Sequence, residues 1–204
     1  MIHENVKTDF VSKEYTPVID ASAYVHPLAA VIGNVILGKN VMVAPFASVR
    51  GDEGQPIYVG NDSNVQDGVI IHALETEHHG HPIEKNMVEV SGKKYAVYVG
   101  SRVSLAHQVQ IHGPAYVGDS TFIGMQSLIF KSKVGKGCVV EPKSLIMGVT
   151  IPDGRYVPAG SVIKTQNDAD NLPVIDDNYP FKDLNDGVIH VNESLAAGYK
   201  AKKI

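Results

Sequence analysis

The sequence predicts an all-β solenoid, a parallel β-helix of hexapeptide repeats with a C-terminal α-helix. Two observations predict this fold. Aliphatic residues recur at every sixth position along most of the chain, and small or β-branched residues recur four places after them. A period of six fits neither an α-helix nor an alternating β-strand. It fits a triangular coil, in which each repeat makes one flat face and one corner.

The aliphatic column is expected to fill the interior of the coil. Its members are Val31, Leu37, Val43, Val49, Val59, Val65, Ile71, Val99, Leu105, Ile111, Val117, Ile123, Ile129, Val134, Val140, Ile146, Val157 and Ile163. Glycine often follows an aliphatic residue, as at Gly38, Gly60 and Gly118, and we expect it to supply backbone freedom at the turns. Such hexapeptide repeats resemble those of left-handed parallel β-helices, and the handedness rests on that resemblance alone.

The chain is predicted to form a single domain over residues 1–204. The β-helix is expected over 18–164, interrupted by an inserted loop at 73–98, in which 88–99 predicts a hairpin turning at Ser91-Gly92. Residues 165–204 predict a linker and an amphipathic helix at roughly 181–200. Val188, Val191 and Leu195 lie at helical spacing, and we expect this apolar side to pack along the coil.

Composition excludes several function classes. The formal net charge of −4 implies no broad basic surface for nucleic acid. The sequence contains no run of about 18 apolar residues, so it predicts no membrane-spanning helix. Cys138 is the single cysteine and cannot form an internal disulfide. The first residues lack the apolar segment of a signal peptide. We therefore expect a cytoplasmic protein, with an extracytoplasmic location as the alternative if a signal peptide has been removed.

The repeat register brings two histidines together. We call the face that carries Val49, Ile71 and Ile111 face C. His72 and His112 then directly follow the inward residue on two successive coils. Arg50 occupies the same position on the coil before His72. Adjacent coils should be about 4.8 Å apart, so these two imidazoles are expected to reach one metal ion.

A third histidine lies on the preceding face, which we call face B. His107 follows Leu105 by two places, as Asp67 follows Val65 one coil earlier, with Gln66 beside it. Three chains packed with face C of one against face B of the next would bring all three histidines to each interface, which predicts a homotrimer with shared sites. Three imidazoles suit Zn²⁺ with an open fourth position, and Fe²⁺ or Co²⁺ are alternatives.

At these residues the sequence resembles the gamma-class carbonic anhydrases of the archaeal Cam type. The resemblance is carried by RGDEGQPIYVGNDSNVQDGVIIHALET (50–76), VEVSGKKYAVYVGSRVSLAHQVQIHGP (88–114), FIGMQSLIFKSKVG (122–135) and GVTIPDGRYVPAG (148–160). It implies the reversible hydration of carbon dioxide to bicarbonate and a proton by a metal-bound hydroxide at trimer interfaces.

The resemblance also implies roles for individual residues. The metal ligands would be His72, His107 and His112. Gln66 would hydrogen-bond the metal-bound water or hydroxide, Glu53 would accept its proton, and Glu75 in the inserted loop would shuttle that proton to solvent.

The remaining roles implied by the resemblance are structural or supporting. Arg50 and Asp67 would form an ion pair across the subunit interface, with Asp52 supporting Arg50. Asn64 would help to orient the site, and Asn192 on the C-terminal helix would line the pocket.

Two departures from the family pattern alter expectations. The acidic loop of the family reads Glu77-His78-His79-Gly80-His81 here. Because histidine titrates near neutrality, His78, His79 or His81 are expected to help Glu75 move protons, with an incidental surface cluster or adventitious metal binding as the alternative. His190 stands where the family has a tyrosine, so the resemblance does not predict the pocket wall beside this residue.

Two other functions compete with this interpretation. An acetyl-CoA-dependent acyltransferase of the same fold would use one histidine as a general base and would need no metal. A non-catalytic gamma-type scaffold subunit would keep the fold and need not turn over. The histidine set and the inserted loop favour the carbonic anhydrase.

Overall fold

The structure is a computed structural model that describes residues 1–202, and it is a parallel β-helix with three sheets. The last two residues of the predicted C-terminal segment lie outside the described residues. Face C contains the strands Ile2–His3, Ala30–Gly33, Ser48–Gly51, Ile70–His72, Gln110–His112, Leu128–Phe130, Leu145–Met147 and Val162–Ile163. The first of these strands, Ile2–His3, lies outside the predicted range of 18–164. The sequence did not predict it, because a two-residue strand does not repeat the six-residue period.

The other two faces have seven strands each. Face A contains Val18–Ile19, Val35–Leu37, Ile57–Val59, Val97–Val99, Ala115–Val117, Lys133–Val134 and Thr150–Ile151. Face B contains Tyr24–Val25, Met42–Val43, Asn64–Val65, Ser104–Leu105, Phe122–Ile123, Val139–Val140 and Tyr156–Val157. All neighbouring strands within these faces are parallel and in register.

The predicted register is confirmed. Val49, Ile71 and Ile111 pair directly on adjacent coils of face C. Every member of the aliphatic column is buried in one continuous core. The insertions therefore leave the stacking order of the coils unchanged, and this order positions the site.

The expected reason for the glycines is wrong at the positions after the aliphatic residues. Among residues with positive φ are non-glycine corner residues such as Asn40 and Asp62, whereas Gly60 and Gly118 are not in that region. A Cβ on Gly60 would lie 2.5 Å from the Gly100 carbonyl carbon on the next coil. These glycines are needed for space between coils rather than for an unusual torsion angle.

The inserted loop is shorter than predicted. Its main hairpin pairs Val88–Val90 with Lys93–Tyr95 around Ser91-Gly92, as expected, but Val97–Val99 is already a strand of face A. The loop also holds a small hairpin of Glu77–His78 with His81–Pro82 and a 3₁₀ turn at Glu84–Asn86.

Two helices follow the β-helix. Helix α1, Gln166–Asp170, was not predicted from the sequence and begins at Thr165, whose hydroxyl accepts a hydrogen bond from the Asp168 amide. Helix α2, Leu184–Lys202, lies against strands of face B. No helix within residues 1–202 is both long and apolar enough to span a membrane.

The buried side of α2 differs from the predicted one. Ile189, Asn192 and Ala196 are buried, whereas Val191 and Leu195 are 54% and 43% exposed. The helix is turned so that its more apolar positions line a cleft beside face B instead of pressing onto the coil.

Candidate metal centre and active site

His72 and His112 are direct neighbours across two coils of face C. Their backbones pair in register, and the ring centroids are 5.5 Å apart. Each follows a buried isoleucine, Ile71 or Ile111, and alternation along the strand turns the imidazole outward from the coil. The same repeat that fills the core therefore places these two ligands side by side.

Three charged residues surround the His72 ring. Its Nε2 lies 2.9 Å from Arg50 Nη2 and 3.2 Å from Asp52 Oδ1, and it contacts Glu53 Oε1. Arg50 also pairs with Asp52 at 3.2 Å. Asp52 therefore contacts Arg50 within one chain, and its role in supporting Arg50 stays a prediction.

These contacts shift several pKa values. Burial alone lowers the pKa of His72, but hydrogen bonds to Asp52 and Glu53 outweigh it and raise the pKa to about 9. For Asp52, burial raises the pKa, yet hydrogen bonds with His72 and Glu53 and the charge of Arg50 bring it down to about 2. Burial dominates at Glu53, whose pKa is raised, and at His112, whose pKa is lowered.

The other two histidines have one ring nitrogen held and the other available. His112 Nδ1 lies 3.2 Å from its neighbour's backbone oxygen, on Gly113, and His107 Nδ1 lies 3.1 Å from Asp67 Oδ2. Metal-ligating histidines commonly donate their second N–H to a carbonyl or carboxylate in this way, which orients the ring. The donor chemistry of this chain fits a metal bound through Nε2 of both residues.

Glu53 supplies a second observation that fits a bound metal and its water. Glu53 Oε2 is buried and has no hydrogen-bond partner within residues 1–202. A buried carboxylate oxygen without a partner is costly, and a ligand or water beside His72 would satisfy it.

Gln66 is held in place by a buried chain of amides. Gln66 Nε2 donates to Asn64 Oδ1 at 2.9 Å, and Asn64 Nδ2 donates to Ser104 Oγ at 2.9 Å. Gln66 therefore keeps its carbonyl oxygen as an acceptor. Asn64 acts through Gln66, and Ser104, which the sequence did not suggest, anchors the chain from the next coil.

A cleft of about 730 Å³ lies between face B and helix α2. Gln66, Asp67 and His107 line it on one side, and Asn192 lines it from the helix. Asn192 Nδ2 donates to the Val188 carbonyl, and His190 is exposed. The structure thus brings Asn192 to the His107 half of the site.

The two halves of the histidine set do not meet within one chain. Asp52, Glu53 and His72 offer ligand atoms within 4.8 Å of one another, but among residues 1–202 His107 joins no such group with His72 and His112. Asp67 contacts His107 here, and its pairing with Arg50 of a neighbouring chain stays a prediction.

The inserted loop is tied to the site by residues that the sequence analysis missed. Thr76 donates to the Glu53 carbonyl through both its amide, at 2.9 Å, and its hydroxyl, at 2.7 Å. Asn86 donates to the Glu75 carbonyl at 2.7 Å, and the Glu75 side chain is exposed. Buried Thr76 and Asn86 have no periodic signal, since they lie outside the repeat.

Comparisons with known proteins identify the family. The chain is 60% identical over 200 residues to a carbonic anhydrase of Methanosarcina thermophila, covering 98% of this chain and 81% of that protein. It is 46% identical over 181 residues to the carboxysome assembly protein CcmM of a Nostoc species, and 29% identical over 147 residues to a mitochondrial gamma carbonic anhydrase of Arabidopsis thaliana. The chain spans 31% and 46% of these two proteins.

Solved structures add information about the fold only. A hexapeptide transferase family protein from Anaplasma phagocytophilum matches 91% of this chain, with 93% of its own length covered, a TM-score of 0.68 and 22% identity. A Bacillus cereus protein described as a putative acetyltransferase matches 92%, with the same TM-score and 20% identity. No family model matches the chain. From the identity over nearly its whole length, the chain belongs to the gamma class of carbonic anhydrases.

Proposed function

We propose that this carbonic anhydrase hydrates carbon dioxide reversibly at a Zn²⁺ centre shared between neighbouring chains of a homotrimer. The observation that carries the proposal is the in-register pair of His72 and His112, with His107 oriented by Asp67 on a different face. A single chain supplies two incomplete halves, and an interface of face C against face B would complete them. Three imidazoles with an open position suit Zn²⁺, with Fe²⁺ or Co²⁺ as the alternatives.

A metal held by His72, His107 and His112 would lower the pKa of the water bound to it to about 7, as Zn²⁺ does in carbonic anhydrases. The chain's own residues would hold and orient that water. Gln66 offers its carbonyl oxygen into the cleft because its amide group is committed to Asn64. Asp67 keeps the His107 ring in the tautomer that leaves Nε2 free.

Carbon dioxide is small and apolar, so the chain needs no charged group to bind it. Val188, Val191 and Leu195 of α2 supply apolar wall to the cleft beside His107. Water interacts only weakly with this apolar wall, which favours carbon dioxide in the space near Gln66. Val191 and Leu195 are exposed and do not pack against the coil, and we assign them to the apolar wall of the substrate cleft.

The proton leaves through carboxylates. Glu53 accepts it at Oε2, the oxygen that lacks a partner beside His72. Glu75, exposed in the inserted loop, passes it to solvent. Proton transfer between positioned groups of this kind requires that they lie within hydrogen-bond reach directly or through one water.

The competing functions have less support. The acetyltransferase-like structures share the fold at 20–22% identity, which does not extend to chemistry. The CcmM proteins share a third or less of their length with this chain, so an assembly role has less support than the activity of the carbonic anhydrase that matches nearly the whole chain.

The test is metal content and carbon dioxide hydration of protein purified without oxygen, compared with His107→Ala. Loss of an outer-shell partner typically costs about 10–100-fold in metal affinity, so loss of a ligand should cost more, and hydration should fall with it. His3→Ala is the matched control, because His3 occupies the same column of face C two coils before Arg50. Unaltered metal content in His107→Ala would remove the proposed centre.

A further inference from the structure

A second histidine cluster lies on the inserted loop, away from the His72 and His112 pair. His78, His79 and Asp9 are exposed, and each offers a ligand atom within 4.8 Å of the other two. The two imidazole ring centroids are 4.3 Å apart. Two imidazoles and a carboxylate favour a borderline divalent ion such as Zn²⁺, Ni²⁺ or Co²⁺ over Mg²⁺ or Ca²⁺.

The backbone places these groups with some strain. His79 and Gly80 form the two-residue turn between Glu77–His78 and His81–Pro82, and both have positive φ, 48° and 78°. Such turns usually take Asn, Asp or Gly at the first position. A histidine at φ 48° lies in the left-handed region, which is uncommon for residues other than glycine, and its ring packs against that of His78.

Asp9 comes from a distant part of the chain and is fixed beside the turn. The His79 amide donates to the Asp9 carbonyl at 2.7 Å, and the Ser12 amide donates to Glu77 Oε1 at 2.7 Å. Val11, between them, is buried. The segment 8–12 is therefore docked against the turn at two points, with the carboxylate of Asp9 facing the two imidazoles.

We propose that Asp9, His78 and His79 bind a divalent transition-metal ion that clips the segment 8–12 to the inserted loop. Solvent molecules complete its coordination, because all three residues are exposed. The clip would stiffen the inserted loop next to Thr76. Thr76 holds the Glu53 carbonyl by two hydrogen bonds, so the stiffening would extend toward the candidate active site. It is a structural ion, separate from the proposed catalytic metal.

The test is Zn²⁺ binding to the full chain after removal of metal by a chelator, with Zn²⁺ alone as the probe. Wild type is expected to bind about one equivalent of Zn²⁺ more per chain than His78→Gln/His79→Gln, because Asp9, His78 and His79 together would hold a single ion. Asp9→Asn is expected to bind the extra ion more weakly. His81→Gln is the matched control, because His81 lies opposite His78 in the same hairpin but outside the cluster.

Hydrogen exchange gives a second readout. At a Zn²⁺ concentration about 100 times the dissociation constant, local opening should become about 100-fold rarer. The amide of His79, which bonds to Asp9, should be protected accordingly in wild type and in His81→Gln, and not in the double variant.

The outcomes separate this proposal from the catalytic one. If the double variant binds as much Zn²⁺ as wild type, or if His81→Gln loses the ion equally, there is no clip at this site. His107→Ala should lose a different equivalent and keep the protection of His79. Failure of the catalytic centre would instead leave His107→Ala equal to wild type.

Discussion

At the scale of single residues, the site depends on side chains whose second contact sets their direction. Asp67 orients His107, the Gly113 carbonyl orients His112, and Asn64 holds the amide group of Gln66. Each of these partners lies in a strand of the β-helix or within two residues of one, so the rigid coil positions it. Glu75 differs, since it lies on the inserted loop and only its carbonyl is held, by Asn86.

Glu75→Ala is expected to slow turnover in weak buffer, because the relay from Glu53 to solvent would lose its outer member. The decrease should be about 100-fold, at the low end for a general acid–base group, because the Glu75 side chain is exposed and only its carbonyl is held. Added imidazole should restore part of the rate. Stopped-flow hydration assays at low and high buffer concentration measure both effects.

Glu89→Ala is the matched control for that experiment. Glu89 is an exposed acid of the same insertion, on the hairpin strand Val88–Val90. If Glu75→Ala and Glu89→Ala have the same rate as wild type in weak buffer, Glu75 is not the shuttle.

At the scale of structural elements, stability depends on how closely the coils approach. Gly118 lies directly over the next coil, where a Cβ would be 2.7 Å from the Gly135 carbonyl carbon and the Lys136 nitrogen. Backbone atoms cannot rotate away as a flexible side chain would, so only glycine allows this close approach. Gly198 in α2 differs, because a methyl group added there would have no atom within 4 Å.

Gly118→Ala and Gly198→Ala are expected to change stability in opposite directions. The first should destabilise by about 1–3 kcal/mol through overpacking. The second should stabilise by about 0.5–1 kcal/mol, because alanine is the better helix former. Denaturant unfolding of the two variants beside wild type measures the difference, and equal effects at both positions would contradict the argument from space.

At the scale of the whole molecule, face B with α2 and face C carry two separate sets of site residues, which the proposed trimer would bring together. Face C presents His72 and His112, with Glu53 beside them in the bend after the strand Ser48–Gly51. The cleft beside face B is lined by His107 and Gln66. If the trimer forms as proposed, the monomer has no complete active site, and assembly is a condition of catalysis.

Mixed assemblies of His107→Ala and His112→Ala chains test this arrangement. Each variant alone should lose activity, because every interface lacks one ligand. In trimers assembled at random from equal amounts, about one quarter of the interfaces of a cyclic trimer would combine an intact His72/His112 pair with an intact His107. Metal content and activity should recover to about that fraction after co-refolding.

The control is a mixture of the same two proteins that are folded separately and not allowed to exchange. It should stay inactive, and sedimentation should show trimers in both mixtures. Co-refolded trimers without recovered activity would mean that the three histidines of each site come from one chain.

The sequence by itself determined the β-helix and the pairing of His72 with His112. The six-residue period records which residues point inward and which coil follows which, and both facts survive long insertions because each coil must bury its column against the next. The same period predicted the outward position of Arg50 and the separate face of His107.

Only the tertiary structure decided the contacts that the period does not encode. In the structure, Ile2–His3 is a strand of face C, and Val191 and Leu195 of α2 line the cleft. The His79 amide also bonds to the Asp9 carbonyl, far away in the sequence. The structure also showed that Gly60 and Gly118 serve space between coils. These features arise where segments outside the repeat pack against it, and such packing depends on shape and hydrogen bonding between residues far apart in the chain, which no local pattern records.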